Sequence, residues 1–95
     1  MMIINAKLKI SEEKREDYLK LMEHLVSESR QEEGVLFYSH YEDVQDRNTF
    51  IVVENYVDEA AIKSHNESEH LQMFKNEIGN FVVEAPVIEV AQQVK

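Results

Sequence analysis

The stretch Phe50–Phe74, FIVVENYVDEAAIKSHNESEHLQMF, passes from an apolar strand through an acidic turn into a helical region. Glu54 and Tyr56 lie two residues apart, so both face the same side of that strand. Asp58 is a typical N-cap for the helix that follows, and His65 lies near the end of that helix. We therefore expect an acid, a phenol and an imidazole to converge where the strand meets the helix, as one wall of a pocket.

The residues before this stretch supply two further strands and a long helix. Ile4–Ile10 alternates apolar and polar residues, which is typical of a half-buried strand. Ser11 is a candidate N-cap for an amphipathic helix that is expected to stop near Gly34. Val35–Glu42 is rich in β-favouring residues, and turn-forming residues separate it from Thr49–Tyr56. These two strands are predicted to form an antiparallel hairpin.

The residues after this stretch complete the element order. The helix that Asp58 opens is expected to end near Asn66, and Ser68 is the N-cap of a second helix that stops at Gly79. Phe81–Val94 is the last strand region, with Pro86 at an edge, at a bulge or at the strand's beginning. The order βαββαβ predicts an α+β, ferredoxin-like sandwich in which helices cover one face of a four-stranded antiparallel sheet. We expect residues 1–95 to form a single domain.

Composition excludes several classes of function. The net charge is −9, so the basic surface that a nucleic-acid partner or an anionic membrane requires is missing. The absence of cysteine excludes disulfides, thiolate nucleophiles and cysteine-ligated zinc. No signal peptide is recognised at Met1, and no window approaches about 18 apolar residues. A cytoplasmic protein is the expectation.

The sheet is expected to need cover on its second face. Every strand is apolar on both sides for part of its length, whereas the helices cover only one side. A second copy of the sheet is the simplest cover. The residues expected on this open face are Ile3, Tyr41, one of Phe37 and Tyr38, and one of Ile51 and Val52.

The order and spacing of four segments resemble the antibiotic biosynthesis monooxygenase family of dimeric α+β barrel proteins. The segments are EEGVLFY at Glu32–Tyr38, FIVVENY at Phe50–Tyr56, AAIKSH at Ala60–His65 and EHLQMF at Glu69–Phe74. The resemblance implies a homodimer in which two sheets pack face to face, with one pocket per subunit between sheet and helices. The family includes quinol monooxygenases, haem-degrading monooxygenases and an autoinducer-phosphate isomerase, so the fold does not decide the activity.

In the quinol-oxidising members no flavin, haem or metal is needed, because the deprotonated quinol reduces oxygen directly. The resemblance then implies that Asn5 donates to a phenolate or peroxide and that His65 acts as the base. We expect these two residues to share one pocket. The residues expected to contact the substrate are Tyr38, Phe50, Glu54, Tyr56, His70 and Phe74.

Each candidate also has a structural interpretation. Asn5 could make a surface or interface hydrogen bond, His65 could be a satisfied core histidine, and His70 could complete a helix N-terminus. Tyr38, Phe50 and Phe74 could simply be core residues. Glu54 is costly if it is buried unpaired, so we expect a partner such as His65 or a backbone group.

No cofactor or metal is expected. His65 and His70 are five residues apart across an expected helix break, unlike the four-apart pair of a zinc-binding helix. Haem-degrading relatives carry a histidine about ten residues after the position of His65, where this chain has Lys75, and a tryptophan, which this chain lacks.

Three functions remain open from the sequence. The first is a cofactor-independent monooxygenase that acts on a quinol or other phenolic small molecule with molecular oxygen. The second is an acid–base isomerase of the autoinducer-phosphate type, in which His65 moves a proton in the same pocket. The third is a non-catalytic barrel that binds a small hydrophobic metabolite.

Overall fold

The computed structural model describes residues 1–94 and has the predicted βαββαβ order, with the second helical unit divided in two. The strands are all antiparallel and lie in the order β2–β3–β1–β4, which is the ferredoxin-like arrangement. The strands are β1 (Met2–Lys9), β2 (Val35–Glu42), β3 (Thr49–Tyr56) and β4 (Val87–Gln92). The helices are α1 (Arg15–Ser29), α2 (Glu59–Asn66) and α3 (Glu69–Glu77), with 3-10 turns at Glu12–Lys14 and Ile78–Asn80.

The two predicted N-caps of the second helical unit are confirmed. The Asp58 side chain accepts a hydrogen bond from the Ala61 amide at 2.9 Å, and the Ser68 side chain accepts one from the Leu71 amide at 3.3 Å. Each cap satisfies a backbone donor that the first turn of a helix leaves unpaired. The caps therefore separate α2 from α3 by two residues and allow the chain to bend between them.

Two predicted boundaries are wrong, and a third is confirmed in position only. Ser11 occupies the N-cap position of the 3-10 turn that leads into α1, but its side chain makes no capping hydrogen bond. α1 ends at Ser29, ahead of Gly34, because the chain turns there to enter β2. The last strand begins at Val87 and not at Phe81, which packs into the core from a loop. Pro86 cannot donate to a ladder, so regular pairing starts only after it.

One face of the sheet carries the core. The register pairs Ile4 with Glu54, Ala6 with Val52 and Leu8 with Phe50, so these residues share the side that the helices cover. Tyr38 is paired with Glu54 and lies on the same side. α1 packs onto this face through buried residues that repeat at helical spacing: Tyr18, Leu21, Met22, Leu25 and Ser29.

The opposite face of the sheet is open in a single chain. Phe37 and Tyr41 lie on it and remain 41% and 51% exposed. Of the two pairs that the sequence left open, Phe37 and Ile51 lie on this face. Tyr38 and Val52 lie in the core. Within residues 1–94, no helix has the length and apolar character to cross a bilayer.

Candidate functional site

A cavity of about 250 Å³ lies between the helix-covered face of the sheet and the helices α2 and α3. Its lining is mainly apolar and includes Leu8, Val52, Leu71, Phe74, Ile78 and Ile88. Five polar side chains also border it: Tyr38, Glu54, His65, Asn66 and Lys75. An apolar cleft with a few convergent polar groups is the usual form of a small-molecule site.

The break between α2 and α3 brings two histidines to one carboxylate. His65 is in the last turn of α2 and His70 is in the first turn of α3, and their ring centroids are 5.8 Å apart. Glu32 belongs to the turn between α1 and β2. Its Oε2 lies 2.7 Å from Nδ1 of His65 and 2.6 Å from Nε2 of His70.

These contacts assign the protons of His65. An ionised carboxylate only accepts hydrogen bonds, so Nδ1 of His65 carries the hydrogen that it donates to Glu32. Nε2 then holds a lone pair, and among the described residues it is buried without a hydrogen-bond partner. The ring borders the cavity and lies against Tyr38 and Tyr56 at centroid distances of 5.4 and 5.5 Å. A carboxylate that orients an imidazole with a free Nε2 is the arrangement of a general base.

Burial sets the proton affinity of the imidazole. Removal from water lowers the pKa of His65, and the hydrogen bond that Nδ1 donates to Glu32 opposes that shift. The neutral form is therefore favoured, which keeps Nε2 able to accept a proton.

Glu54 provides a second titratable group on the cavity wall. Burial raises its pKa to about 7, against the opposing hydrogen bond from Tyr56. The Tyr56 hydroxyl donates to Glu54 Oε1 at 2.5 Å. The partner expected for this carboxyl was His65 or a backbone group, and the structure provides the phenol two residues along the same strand instead. An acid with its pKa near neutrality, in a cavity beside an imidazole, is a typical sign of a functional site.

Most of the predicted site residues lie at or next to this cavity. Tyr38, Glu54, His65 and Phe74 border it. Tyr56 is fully buried and supports Glu54, and His70 contacts Glu32 on the outer side of His65. The convergence predicted from Phe50–Phe74 is thus confirmed for the acid, the phenol and the imidazole.

Two predicted residues lie elsewhere. Asn5 is paired with Val53 on the open face of the sheet, so the prediction that it shares a pocket with His65 is wrong within one chain. The alternation of β1 requires this, because Ile4 and Ala6 point to the cavity. Phe50 does not border the cavity either. Its ring packs against Tyr18 and His40, at centroid distances of 4.9 Å to each.

Sequence reasoning missed three polar members of the site, Glu32, Asn66 and Lys75. Glu32 is part of the segment that carries the family resemblance, but its position in a turn gives no periodic signal for a contact 33 residues away. Lys75 could have been found, since it follows Leu71 by four residues and so shares the cavity face of α3.

Glu32, His65 and His70 form a cluster with the ligand types of a metal site. One ligand atom from each of Glu32, His65 and His70 lies within 4.8 Å of the other two. The spacing argument compared these histidines only with the four-apart pair of a single helix, whereas here two helices and a turn bring three ligand groups together. The break after α2 turns both rings toward Glu32. The expectation that no metal is bound stays a prediction.

Comparison with known proteins gives consistent matches. The antibiotic biosynthesis monooxygenase family matches residues 1–77. A protein of Bacillus subtilis (strain 168), "Putative monooxygenase YcnE", is 45% identical over 74 residues, which are 78% of each chain. A solved structure described as an antibiotic biosynthesis monooxygenase is 26% identical over all of both chains, with a TM-score of 0.93. Rv0793 from Mycobacterium tuberculosis is 18% identical, covers 99% of this chain and 95% of its own, and shares the fold with a TM-score of 0.93.

Proposed function

Since the chain belongs to the antibiotic biosynthesis monooxygenase family, we propose that it oxidises a quinol or other phenolic small molecule with molecular oxygen and without a cofactor. The observation that carries this proposal is the free Nε2 of His65. It is buried, it has no partner among the described residues, and Glu32 fixes the tautomer from the other side of the ring.

His65 is the base in this proposal. Nε2 takes the proton of a phenolic hydroxyl, and Glu32 stabilises the imidazolium that forms. Deprotonation makes the ring electron-rich enough to give electrons to oxygen. One oxygen atom then enters a ring C–H position and the other leaves as water, so that a quinol and one O2 give a hydroxyquinone and one H2O. No external reductant is required.

The cavity suits a flat aromatic substrate. An apolar cavity of roughly 150 Å³ already binds benzene, so the volume here, about 250 Å³, accommodates a substituted or fused ring. Phe74 and Leu71 supply apolar contact from α3, and Tyr38 lies across from them on the sheet. Exclusion of water by these groups protects reactive intermediates from side reactions.

Oxygen uptake tests the proposal. A panel of hydroquinones is added to protein that has been treated with a chelator, and uptake is corrected for the protein-free rate. We expect His65→Ala to lower turnover by roughly 10²-fold or more, as loss of a general base does. His24→Ala is the matched control, because His24 is exposed on α1. Uptake that is absent with every hydroquinone, or unchanged in His65→Ala with the fold intact, would contradict the proposal.

Glu54 favours one alternative, an acid–base isomerase. With a pKa raised to about 7, it can give or take a proton on the cavity that His65 also borders. Two such groups can move a proton between two atoms of a substrate without oxygen. An oxygen-independent spectral change in a keto sugar or keto acid would support this reading. Thermal stabilisation by hydroquinones without any turnover would instead support a binding protein.

A further inference from the structure

We propose that Glu32, His65 and His70 form a binding site for a divalent first-row transition-metal ion. The ligand atoms are Oε2 of Glu32, Nδ1 of His65 and Nε2 of His70. These atoms lie within 4.8 Å of one another, and the two oxygen–nitrogen distances are 2.7 and 2.6 Å.

The spacing suits such an ion after a small adjustment. Imidazole nitrogen and carboxylate oxygen bind zinc at about 2.0–2.2 Å, so ligand atoms around one ion stand roughly 3 to 4 Å apart. In the cluster, hydrogen atoms occupy the two short oxygen–nitrogen contacts. An ion that replaces these hydrogens requires the side chains to shift by about 1 Å or less.

The ligand set selects the class of ion. Two neutral imidazoles and one carboxylate carry a net charge of −1 and combine nitrogen with oxygen donors. This combination suits Zn²⁺, Fe²⁺, Co²⁺ and Ni²⁺, whereas Mg²⁺ and Ca²⁺ prefer oxygen ligands alone. His65 is buried, but the side chains of Glu32 and His70 are 17% and 14% exposed, so the ion can reach the cluster from the outer side and keep water as a further ligand.

The cluster is held in place by its surroundings. Its three members come from three different segments of the chain: a turn, the end of α2 and the start of α3. Ser68 fixes the junction between the helices, since its hydroxyl donates to the His65 carbonyl at 2.6 Å and accepts from the Leu71 amide. Ligands that are already positioned lose little conformational freedom when they bind an ion.

The ion and the proposed base exclude each other. An ion on Nδ1 of His65 displaces the hydrogen to Nε2, which then becomes a donor and cannot accept a proton. Occupancy would therefore suppress base chemistry in the cavity. This consequence rests on the proposed function, whereas the binding of the ion does not.

The test measures binding in protein stripped of metal by a chelator. Co²⁺ is titrated while its visible absorption bands are followed, and Zn²⁺ is titrated by calorimetry. We expect one ion per chain, and affinities at least about tenfold weaker in His70→Ala and in Glu32→Gln. Mg²⁺ should not compete. His24→Ala is again the control and should bind like the unaltered protein.

Circular dichroism of each variant separates lost ligation from lost folding, and Glu32→Gln keeps the size of the side chain where His70→Ala does not. The proposal is overturned if neither ion binds, or if both folded variants bind as tightly as the unaltered protein. Because this readout needs no substrate, its failure is distinct from a failure to consume oxygen with hydroquinones in the presence of a chelator.

Discussion

Glu54 is a carboxyl group on a strand whose neighbouring inward residues are apolar or aromatic. Its pair across the sheet on one side is Ile4 and on the other is Tyr38. The Tyr56 hydroxyl donates to the carboxyl, but the loss of hydration outweighs that hydrogen bond, so the pKa is raised to about 7. Such an arrangement costs folding stability whenever the carboxyl is ionised, which is typical of a group kept for function.

The pH dependence of stability should reveal this cost. The native state holds the Glu54 proton more tightly than the unfolded chain does. The stabilisation that this proton gives to the native state is complete below pH 4.5 and is lost as pH rises through about 7. Glu54→Gln cannot ionise. We expect the variant to gain stability relative to the unaltered protein between pH 4.5 and about 8, by at most about 3 kcal/mol. Urea unfolding at several pH values measures this difference. A difference that does not change with pH would contradict the assignment.

The sequence predicted the position of some of these side chains and not of others, because only some of them lie on elements with a regular period. Glu54 and Tyr56 could be assigned to one face because the two-residue period of a strand is independent of the rest of the fold. Glu32 could not, because a turn has no such period and its partners lie on two separate helices. The prediction that Asn5 shares a pocket with His65 is wrong within one chain, because it follows the family resemblance. The alternation of apolar and polar residues in β1 instead places Asn5 on the open face of the sheet.

At the scale of elements, the close approach of the α1–β2 turn to α2 holds the cluster together. A Cβ atom on Gly34 would lie only 2.4 Å from the Ala61 Cβ and 3.3 Å from its Cα. The Gly34 carbonyl also accepts a hydrogen bond from the Val57 amide at 3.0 Å. Because Glu32 lies in this turn and His65 lies on α2, this contact sets the distance between them.

Gly34→Ala should therefore push the turn and α2 apart. We expect a loss of about 1–3 kcal/mol in the free energy of unfolding. The added methyl group meets the Cβ and Cα atoms of Ala61 in the first turn of α2, and these atoms cannot rotate away as a long side chain could. Gly79→Ala is the matched control, because a Cβ there meets nothing within 4 Å. Ala61→Gly added to Gly34→Ala should recover part of the loss. Denaturant melts compare the four proteins, and equal stability of the two single glycine variants would disprove this account of the contact.

Element boundaries were harder to predict than element types. β2 and β3 begin and end where the sequence indicated, because turn-forming residues flank both. β4 is much shorter than predicted, since Phe81 contributes to the core from a loop and only an isolated bridge joins Ile10 to Val82. Apolar content alone does not distinguish such a buried loop from a strand.

At the scale of the whole molecule, helices cover only one of the two faces of the sheet. The helices bury Leu8, Val52 and Tyr38, while the other face presents Phe37 and Tyr41 to water in a single chain. Asn5 lies on that face, and its Oδ1 is buried without a partner among residues 1–94. The fold could be predicted because it follows from patterns within one chain, whereas nothing within residues 1–94 covers Phe37 and Tyr41 on this face.

We expect a second copy of the chain to cover the open face and form a homodimer. The interface should bury more than roughly 1,000 Å² in total, as stable specific interfaces do. Light scattering at micromolar concentration should then give a mass near twice the 11.2 kDa of one chain. Phe37→Asp should weaken the dimer by more than about 10²-fold, because a two-fold interface buries the added charge twice.

Val44→Asp is the control for that variant. Val44 is almost fully exposed in the β2–β3 loop, so the same charge there should leave the mass unchanged. A monomeric mass for the unaltered protein would refute the homodimer. If the protein is dimeric but Phe37→Asp dimerises as well as Val44→Asp, the copies meet through another surface, and the open face must be explained by a different partner.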